Sequence, residues 1–150
     1  MPELADKPPF GLPAVVPAFD RATRLAKALF NAADSAVVLI SDGRIWRNRD
    51  GKGALTTDDP AAEQIMRDGE PLWIEDALVD VRVKDQPVVT QFNMRFYAGV
   101  PVQLSDGSCP GVLCVIGQDP RPENSNLLNR LRDCAEMVSD ACERAIALRA

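Results

Sequence analysis

The clearest pattern in the chain is a pair of apolar runs separated by a polar turn. Residues 95–104 and 111–116 are strongly apolar, and residues 105–108 between them are polar. Asp106-Gly107 supplies the positive φ angles that a tight hairpin needs, so the two runs are predicted to pair as antiparallel strands. Every position from Val112 to Ile116 is apolar, which is typical of a strand covered on both faces near the middle of a sheet.

The N-terminal half repeats this pattern after a helix. Residues 18–34 carry apolar side chains at three-to-four spacing, which predicts a helix. Ala36–Ile40 is a second wholly apolar strand, and Asp42-Gly43 predicts a tight turn into a third strand at residues 44–49. That third strand mixes apolar and basic residues, so we expect one exposed face and a position near the sheet edge.

The middle of the chain is less regular. Asp59-Pro60 and Gly69 are typical start and stop signals, so residues 60–68 are predicted to form a short helix. Residues 71–75 form a short strand. Residues 76–94 have no clean period and include a proline, so we expect irregular backbone with one helical turn. Irregular stretches inside compact domains tend to be binding loops or lids.

Residues 125–149 are predicted to form one long helix with a heptad seam. A second apolar stripe, Leu128, Ala135 and Cys142, runs beside it. Two stripes favour two partners, the sheet and a helix of a second chain, whereas a wide core face in a monomer is the alternative. The predicted dimer interface is the seam itself: Leu127, Leu131, Cys134, Val138, Ala141, Ala145 and Leu148.

The ends of the chain set the domain limits. Residues 1–17 contain five prolines and are interpreted as a Pro-rich extended arm, with a disordered tail as the alternative. Residues 18–150 are interpreted as a single domain with one core, since domains commonly have about 100–150 residues. The long helix at 125–149 would complete this domain.

The charge and hydropathy of the chain limit the classes of binding partner and the cellular location that we expect. The net charge is −5 and the pI is near 4.7, with no basic cluster, so we expect neither nucleic-acid nor membrane binding. No apolar run approaches the roughly 20 residues of a membrane span, and the N-terminus lacks the apolar core of a signal peptide. We therefore expect a cytoplasmic location.

The chain has no histidine and four cysteines. The lack of histidine excludes His-ligated haem, His-containing zinc sites and nucleophiles activated by histidine. The cysteines form no Cys-x-x-Cys pair, so no structural zinc is expected. Cys109 lies beside the central turn and is expected to meet solvent, which leaves a redox role open, whereas Cys114, Cys134 and Cys142 lie in apolar patterns typical of buried thiols.

Several motifs together resemble those of a GAF domain, a small sensory domain of many bacterial signalling proteins. The likeness runs from about Phe19 to the C-terminus. The Arg-Phe-Tyr-Ala-Gly motif followed by Gly-x-Leu-Cys-Val is fairly specific for the fold. The motifs that carry the resemblance are residues 70–77, Asp80, Val81-Arg82, residues 95–102, Gly107, residues 111–116, Pro120-Arg121 and residues 131–135.

The resemblance implies an α+β, GAF-like (profilin-like) fold with a central antiparallel sheet of five to six strands. The N- and C-terminal helices would lie on one face and often form a dimeric bundle. Short helices and loops, here residues 60–68 and 76–94, would close over a small-molecule pocket on the other face.

Such a pocket gives a set of candidate ligand contacts. For the aromatic candidates, the competing interpretation is that they pack in the core without contacting a ligand. The same alternative applies to Met66. Arg95 would bind an anionic ligand or pair with Asp76 or Asp80, and Asp76 would otherwise cap a short helix. The candidate ligand-binding residues are Trp46, Met66, Trp73, Asp76, Phe92, Arg95 and Tyr97.

The resemblance implies a non-enzymatic sensor in signal transduction that binds an unidentified small molecule or partner and signals through a dimeric helical bundle. An output domain or a separate partner protein would receive the signal. The cofactor is not identified, and no bilin is expected because residues 58–94 contain neither Cys nor His. A thiol-dependent enzyme of the free methionine sulfoxide reductase type is an alternative, disfavoured because residues 53–108 lack cysteine, and a purely structural dimerisation module is another.

Overall fold

The computed structural model describes residues 3–4, 15–41, 44–48 and 60–149. Its elements alternate along the chain around one sheet. In chain order they are β1 (Glu3–Leu4), α1 (Val16–Phe30), β2 (Asp34–Ser41), β3 (Arg44–Arg47), α2 (Pro60–Asp68), β4 (Leu72–Ile74), α3 (Pro87–Thr90), β5 (Phe96–Val102), β6 (Gly111–Gly117) and α4 (Ser125–Arg149).

The sheet has six strands in the order β1-β3-β2-β6-β5-β4. The two wholly apolar runs, β2 and β6, are neighbours in its centre and pair in antiparallel fashion from Asp34 opposite Ile116 to Leu39 opposite Gly111. The other pairs are antiparallel as well, except that the two residues of β1 pair in parallel with β3. The predicted α+β class and antiparallel sheet are confirmed.

Each face of the sheet is covered by a different layer. Alternate residues of the strands point to opposite faces, because the side-chain period of a strand is two. One face packs against α1 and α4, and its sheet side chains, here called the helix-side core, are Val37, Leu39, Trp46, Trp73, Phe96, Ala98, Val100, Val102, Leu113 and Val115. The other packs against α2 and residues 76–94, and its sheet side chains, the α2-side core, are Ala36, Val38, Ile45, Leu72, Ile74, Tyr97, Val112, Cys114 and Ile116.

The first helix is shifted from its predicted bounds of 18–34. It begins at Val16, with Pro17 in its first turn, and ends at Phe30 because Asn31 adopts the left-handed conformation with φ 47°. The N–H of Ala32 donates to the carbonyl of Lys27 at 3.0 Å, which closes the helix end. Two residues assigned to the arm therefore belong to the helix, and Asp34 starts β2.

The central hairpin has a longer connection than the tight turn that Asp106-Gly107 predicted. The strands stop at Val102 and resume at Gly111, and Gly107 has the expected positive φ of 88°. The N–H of Leu104 donates to the carbonyl of Ser108 at 2.9 Å, so the turn closes on residues outside the ladder. The other predicted turn, Asp42-Gly43, lies outside the described residues, as does most of the N-terminal arm.

The remaining predicted elements are confirmed with small shifts. The bounds of α2 and of α4 agree with the sequence pattern, and the irregular segment 76–94 contains one helical turn that starts at Pro87. The third strand ends at Arg47, two residues earlier than predicted. No helix in the described ranges combines the length and apolar character that a bilayer span requires.

The predicted dimer seam of α4 faces the interior of the chain. Both stripes turn toward the sheet and α1, so they share one wide core face. Leu127 is half-buried and Leu148 is exposed. The buried members of the two stripes are Leu131, Cys134, Ala135, Val138, Ala141, Cys142 and Ala145. These seven side chains cannot also form a seam with a second chain, so the proposed interface residues are corrected on this point.

A buried polar residue ties α1 to the sheet. Asn48 follows β3 and is almost completely buried. Its Oδ1 accepts the N–H of Val37 at 2.9 Å, while its Nδ2 donates to the Thr23 hydroxyl at 3.0 Å and to the Asp20 carboxylate at 3.1 Å. Buried amides are stable only when their donors and acceptors are paired, so this side chain fixes the position of α1 relative to β2.

We predict that Asn48→Ala lowers the free energy of unfolding by about 2 kcal/mol, because it leaves the buried Val37 N–H without its acceptor. Urea denaturation followed by circular dichroism measures this change. Asn48→Asp has nearly the same size but brings a second carboxylate toward Asp20, so it should destabilise the protein as well.

Asn129→Ala is the matched control, because Asn129 is exposed on α4. It should change the unfolding free energy by less than about 0.5 kcal/mol. Equal effects of Asn48→Ala and Asn129→Ala would show that the buried network does not stabilise the fold.

Candidate functional site

The structure separates the candidate ligand residues between the two faces of the sheet. Trp46 packs against Phe19 with ring centroids 5.6 Å apart, and Trp73 packs against Phe96 at 5.0 Å. Trp73 also donates its Nε1–H to the carbonyl of Arg121 at 2.9 Å. Both tryptophans belong to the helix-side core, so their prediction as contacts in a pocket on the opposite face is wrong.

The two tryptophans face the helices because successive side chains of a strand point to opposite faces of the sheet. Ile45 and Ile74, the neighbours of the two tryptophans, point into the α2-side core. An adjacent residue in a strand must then face the helices. Sequence reasoning placed the strands correctly but gave the tryptophans the wrong face.

Met66 and Tyr97 do lie on the α2 side. Tyr97 is buried in the α2-side core, and Met66 of α2 is half-buried against it. Between them the backbone of β5 comes close to α2, because a Cβ at Gly99 would lie 2.6 Å from Ile65 Cδ1 and 2.8 Å from the Tyr97 hydroxyl oxygen. A side chain at position 99 would force the Ile65 and Tyr97 side chains to shift, so the glycine allows both side chains to pack directly against the backbone of β5.

Arg95 binds backbone carbonyl groups of the irregular segment and does not pair with an acidic side chain. Its Nη1 donates to the carbonyls of Val89 at 3.2 Å and Met94 at 2.9 Å. Asp80 pairs with Arg82 instead, which donates its Nε–H to the carboxylate at 2.9 Å. The predicted alternative of an Arg95 pair with Asp76 or Asp80 is therefore wrong.

The two aspartates of this segment have local roles. The hydrogen bond from the Arg82 side chain lowers the pKa of Asp80 below its ordinary value. Asp76 accepts the N–H of Leu78 at 3.1 Å, a side-chain turn typical of aspartate. Phe92, by contrast, is 47% exposed on the surface of the segment. Together these contacts hold residues 76–94 in place. These residues and α2 form the layer that covers the α2-side core, here called the roof.

The described part of this roof is filled with side chains. Ala61, Ala62 and Ile65 of α2, together with Val83, Val89 and Met94 of the irregular segment, are buried against the sheet. Within the described residues no group of three or more cysteine, aspartate or glutamate side chains is arranged to hold a metal ion. The site as described is thus apolar, with Arg95 and Phe92 at its margin.

The thiols lie in environments that oppose ionisation. Burial raises the pKa of Cys109 and of Cys134. Burial, with a smaller contribution from the Glu143 carboxylate, raises the pKa of Cys142 to about 12. Cys114 is completely buried in the centre of the sheet. A nucleophilic thiol needs a lowered pKa and access to solvent, so none of these side chains fits that role.

A groove that the sequence analysis missed lies at the edge of the sheet. Its volume is about 820 Å³, and it lies between the end of β5 and one side of α4. Its lining includes Glu70, Pro101, Gln103 and, on α4, Arg132, Glu136, Asp140 and Glu143. The three-to-four spacing of the acidic residues on α4 was the available signal.

We predict that Cys109 reacts with iodoacetamide at pH 7 more slowly than an exposed cysteine of a peptide does, because its raised pKa keeps the thiol protonated. The rate should rise steeply as the pH is raised toward 9 and above. Mass spectrometry of the intact protein over time measures the reaction.

Cys109→Ser is the control, and it should remove the first modification while the three buried thiols stay unreacted. A fast reaction at pH 7 that no longer changes with pH would contradict the prediction, because it would show a thiolate.

Three comparisons place this architecture among known proteins. A cyclic di-GMP phosphodiesterase from Pseudomonas aeruginosa is 43% identical over 49 residues, which are 32% of this chain and 8% of that protein. The chain thus matches only a small part of that relative's length. The structure of the blue-light absorbing form of the Thermosynechococcus elongatus PixJ GAF domain superposes with a TM-score of 0.71 at 15% identity, over 91% of this chain and 89% of that one.

A further similar structure is that of the free methionine-R-sulfoxide reductase from Neisseria meningitidis. Its TM-score is 0.72 at 16% identity, over 89% of this chain and 81% of that one. At such identities both superpositions establish a shared fold and no shared activity. The GAF domain family model matches residues 15–146, which include all described elements except β1 and the last residues of α4, and the chain belongs to the GAF domain family.

Proposed function

We propose that this chain is a non-enzymatic regulatory domain that binds a small molecule or a partner on the α2 side of its sheet and signals through α1 and α4. Its family is typically sensory or regulatory in signalling proteins, which gives the general role. The observation that carries the proposal is the contact of β5 with both layers. The output would be a further domain or a separate partner protein.

The strand β5 connects the two layers residue by residue. Tyr97 and Gly99 face α2, whereas Ala98 and Val100 face α1 and α4. Ile65 packs directly against Gly99, so an occupant that displaces α2 would change the packing of α2 on β5. Because β5 also packs against α4, the position of α4 would change as well. Allosteric couplings are typically about 1–3 kcal/mol, and a small shift in helix packing supplies free energies of that size.

The proposed binding residues are those at the margin of the roof. Met66 and Asp76 are half-buried and Phe92 is exposed, whereas Tyr97 is buried in the α2-side core beneath this layer. Among the described residues Arg95 is engaged through Nη1 alone, so its other N–H groups are available to an anionic ligand. The occupant would therefore combine an apolar body with a negative group.

The thiol-dependent alternative is not favoured. The raised pKa of Cys109 and the burial of Cys114 remove the nucleophile that it requires. The lack of cysteine in residues 53–108 also counts against the sulfoxide reductase type. A structural module without a ligand remains the competing role, and the ligand experiment below separates it from the sensor.

We also propose a homodimer, on the outer surface of α1 and the last turns of α4, where Leu148 is the exposed member of the predicted seam. Leu25 and Leu29 of α1 are 48% and 39% exposed. A groove between α1 and α4 is lined by Ala18 and Arg21 on one helix and by the exposed residues Arg144 and Leu148 on the other. Leu25 lies two turns beyond Ala18 on the same side of α1, so the apolar surface continues along the helix pair. A second helix pair packed there would form a four-helix bundle.

For the sensor role, we predict that native mass spectrometry of the purified protein, or a thermal-shift screen of metabolites, identifies a ligand. A ligand at a hundred times its dissociation constant adds about 2.7 kcal/mol of stability. Hydrogen exchange in α4 should slow when that ligand binds. Phe92→Ala should weaken binding, whereas Ile146→Ala, a control at an exposed apolar position of α4 outside the groove of the proposed dimer, should not.

A protein without bound mass and without any thermal shift across the screen would support the structural module instead. Binding without any change of exchange in α1 and α4 would contradict the proposed route of the signal.

For the dimer, we predict that Leu25→Glu with Leu29→Glu shifts the protein to a monomer in sedimentation velocity. The reason is that two carboxylates would be desolvated in the proposed bundle, whereas both positions are exposed in one chain. Leu78→Glu with Val79→Glu is the control, because these exposed residues lie in the roof. A dimer that survives the α1 variant would place the interface elsewhere.

A further inference from the structure

The helices α1 and α4 lie side by side over the sheet and run in opposite directions. The first helix lies over β2 and β6, and the last helix lies over β6 and β5. Near one end of the pair, Arg21 at the start of α1 and Arg144 near the end of α4 line the same groove. Near the other end, the guanidinium of Arg121, shortly before α4 begins, lies 5.8 Å from the centroid of the Phe30 ring.

Each helix carries exposed charges, mainly of one sign, along the side that faces away from the other helix. Arg24 and Lys27 of α1, here called the basic margin, line a groove with Asp34 at the start of β2. Glu136 and Asp140 of α4, the acidic margin, line the groove along the end of β5. Within the described part of the chain none of these four side chains forms an ion pair. The two margins lie on opposite sides of the helix pair, so they cannot neutralise each other within one chain.

The two margins also match in height along the helix axis. Residues 15–21 of the N-terminal region face residues 141–148 of α4 across their common groove, and both helices rise by about 1.5 Å per residue. Arg24 is therefore within about one turn of the height of Asp140, and Lys27 within about one turn of the height of Glu136. By the same count the exposed Leu25 is level with Met137, which is half-buried on α4.

A two-fold axis that runs along the helices brings these matching features together. Such an axis keeps every residue at its height and places α1 of one copy on α4 of the other. The basic margin of each copy then lies on the same side of the bundle as the acidic margin of the second copy. An axis across the helices would instead place α1 on α1 and bring the two basic margins together, which the repulsion of like charges opposes.

We propose that two copies of this chain pair around a two-fold axis along their helices, so that the basic margin of each copy contacts the acidic margin of the other. Arg24 pairs with Asp140 of the second copy at the rim of the interface. Lys27 pairs with Glu136 of the second copy, and Leu25 packs on Met137 between the charged rims. The inference rests on the homodimer proposed above and adds the orientation and the residue pairs of that interface.

The proposal also accounts for the cation that lies beside the acidic margin. Arg132 lines the same side of α4. By the count of heights it is level with the last residues of α1, where the helix ends at Phe30. The carbonyl groups at the C-terminal end of a helix attract a cation, so this guanidinium is favourable at that position of the second copy.

The test reverses the charges of one margin at a time and measures the dissociation constant of the dimer by sedimentation equilibrium at about 0.1 M salt. The acid variant is Arg24→Glu with Lys27→Glu, and the base variant is Glu136→Lys with Asp140→Lys. Each variant alone should raise the dissociation constant by about tenfold or more, because both contacts of its homodimer join like charges.

A mixture of the acid variant and the base variant should form a heterodimer about as tight as the unaltered homodimer. In that heterodimer the acidified α1 meets the basified α4, and the unaltered α1 and α4 meet each other. Both contacts therefore join opposite charges again.

Two matched controls make the same changes of net charge at exposed positions on the opposite face of the sheet. Arg67→Glu with Lys84→Glu is the control for the acid variant, and Glu63→Lys with Asp85→Lys is the control for the base variant. Each control should leave the dissociation constant within about twofold, because charges so far from the interface are screened.

Two results would overturn this pairing while the dimer itself stands, as shown by its loss in Leu25→Glu with Leu29→Glu. One is that the acid and base variants dimerise as tightly as their controls, which an axis across the helices requires because reversal leaves like charges opposed. The other is that the mixture dimerises no better than either variant alone. An unaltered protein that is monomeric at every concentration would overturn the dimer and this pairing together.

Discussion

The structure depends on one constraint, which is that β2 and β6 are apolar on both faces. Their burial removes every side chain from Val112 to Ile116 from water, so both faces of the sheet need a cover. The helices α1 and α4 supply one cover, and α2 with residues 76–94 supplies the other. A single helical layer would leave Val38 and Cys114 exposed on the other face of the sheet. The chain therefore needs helices or loops on both faces of these two strands.

This constraint also separates the roles of the two layers. The helix-side core is closed by aromatic rings, with Phe30 and Phe96 stacked 6.1 Å apart beneath the Arg121 guanidinium. The α2-side core contains smaller aliphatic side chains and an irregular segment braced by Arg95. A domain that transmits a signal benefits from this difference, since one layer can adjust while the other holds its shape.

The sequence predicted the fold well because its signals are local. The wholly apolar strands, the helix signals at Pro60 and Gly69 and the motif around Arg95–Gly99 each identify an element without reference to distant residues. The site was harder to predict from the sequence, because it depends on which face of the sheet each strand residue occupies and on tertiary packing. The alternation of a strand does not tell which face of the sheet Trp46 and Trp73 occupy. A heptad pattern does not tell which partner covers the α4 stripe. The Asn48 network joins residues 28 positions apart and leaves no pattern in the chain.

The contact of Ile65 with Gly99 has a consequence for how such a scaffold diversifies. A shortened side chain at position 65 would open an empty space over the glycine, lined by apolar groups and the tyrosine ring. A void of this kind, apolar except for the Tyr97 hydroxyl group, suits a small hydrophobic molecule that also carries a hydrogen-bonding group. One substitution in α2 would therefore create a new cavity while the backbone of the sheet stays in place, and a single fold can acquire unrelated ligands by that route.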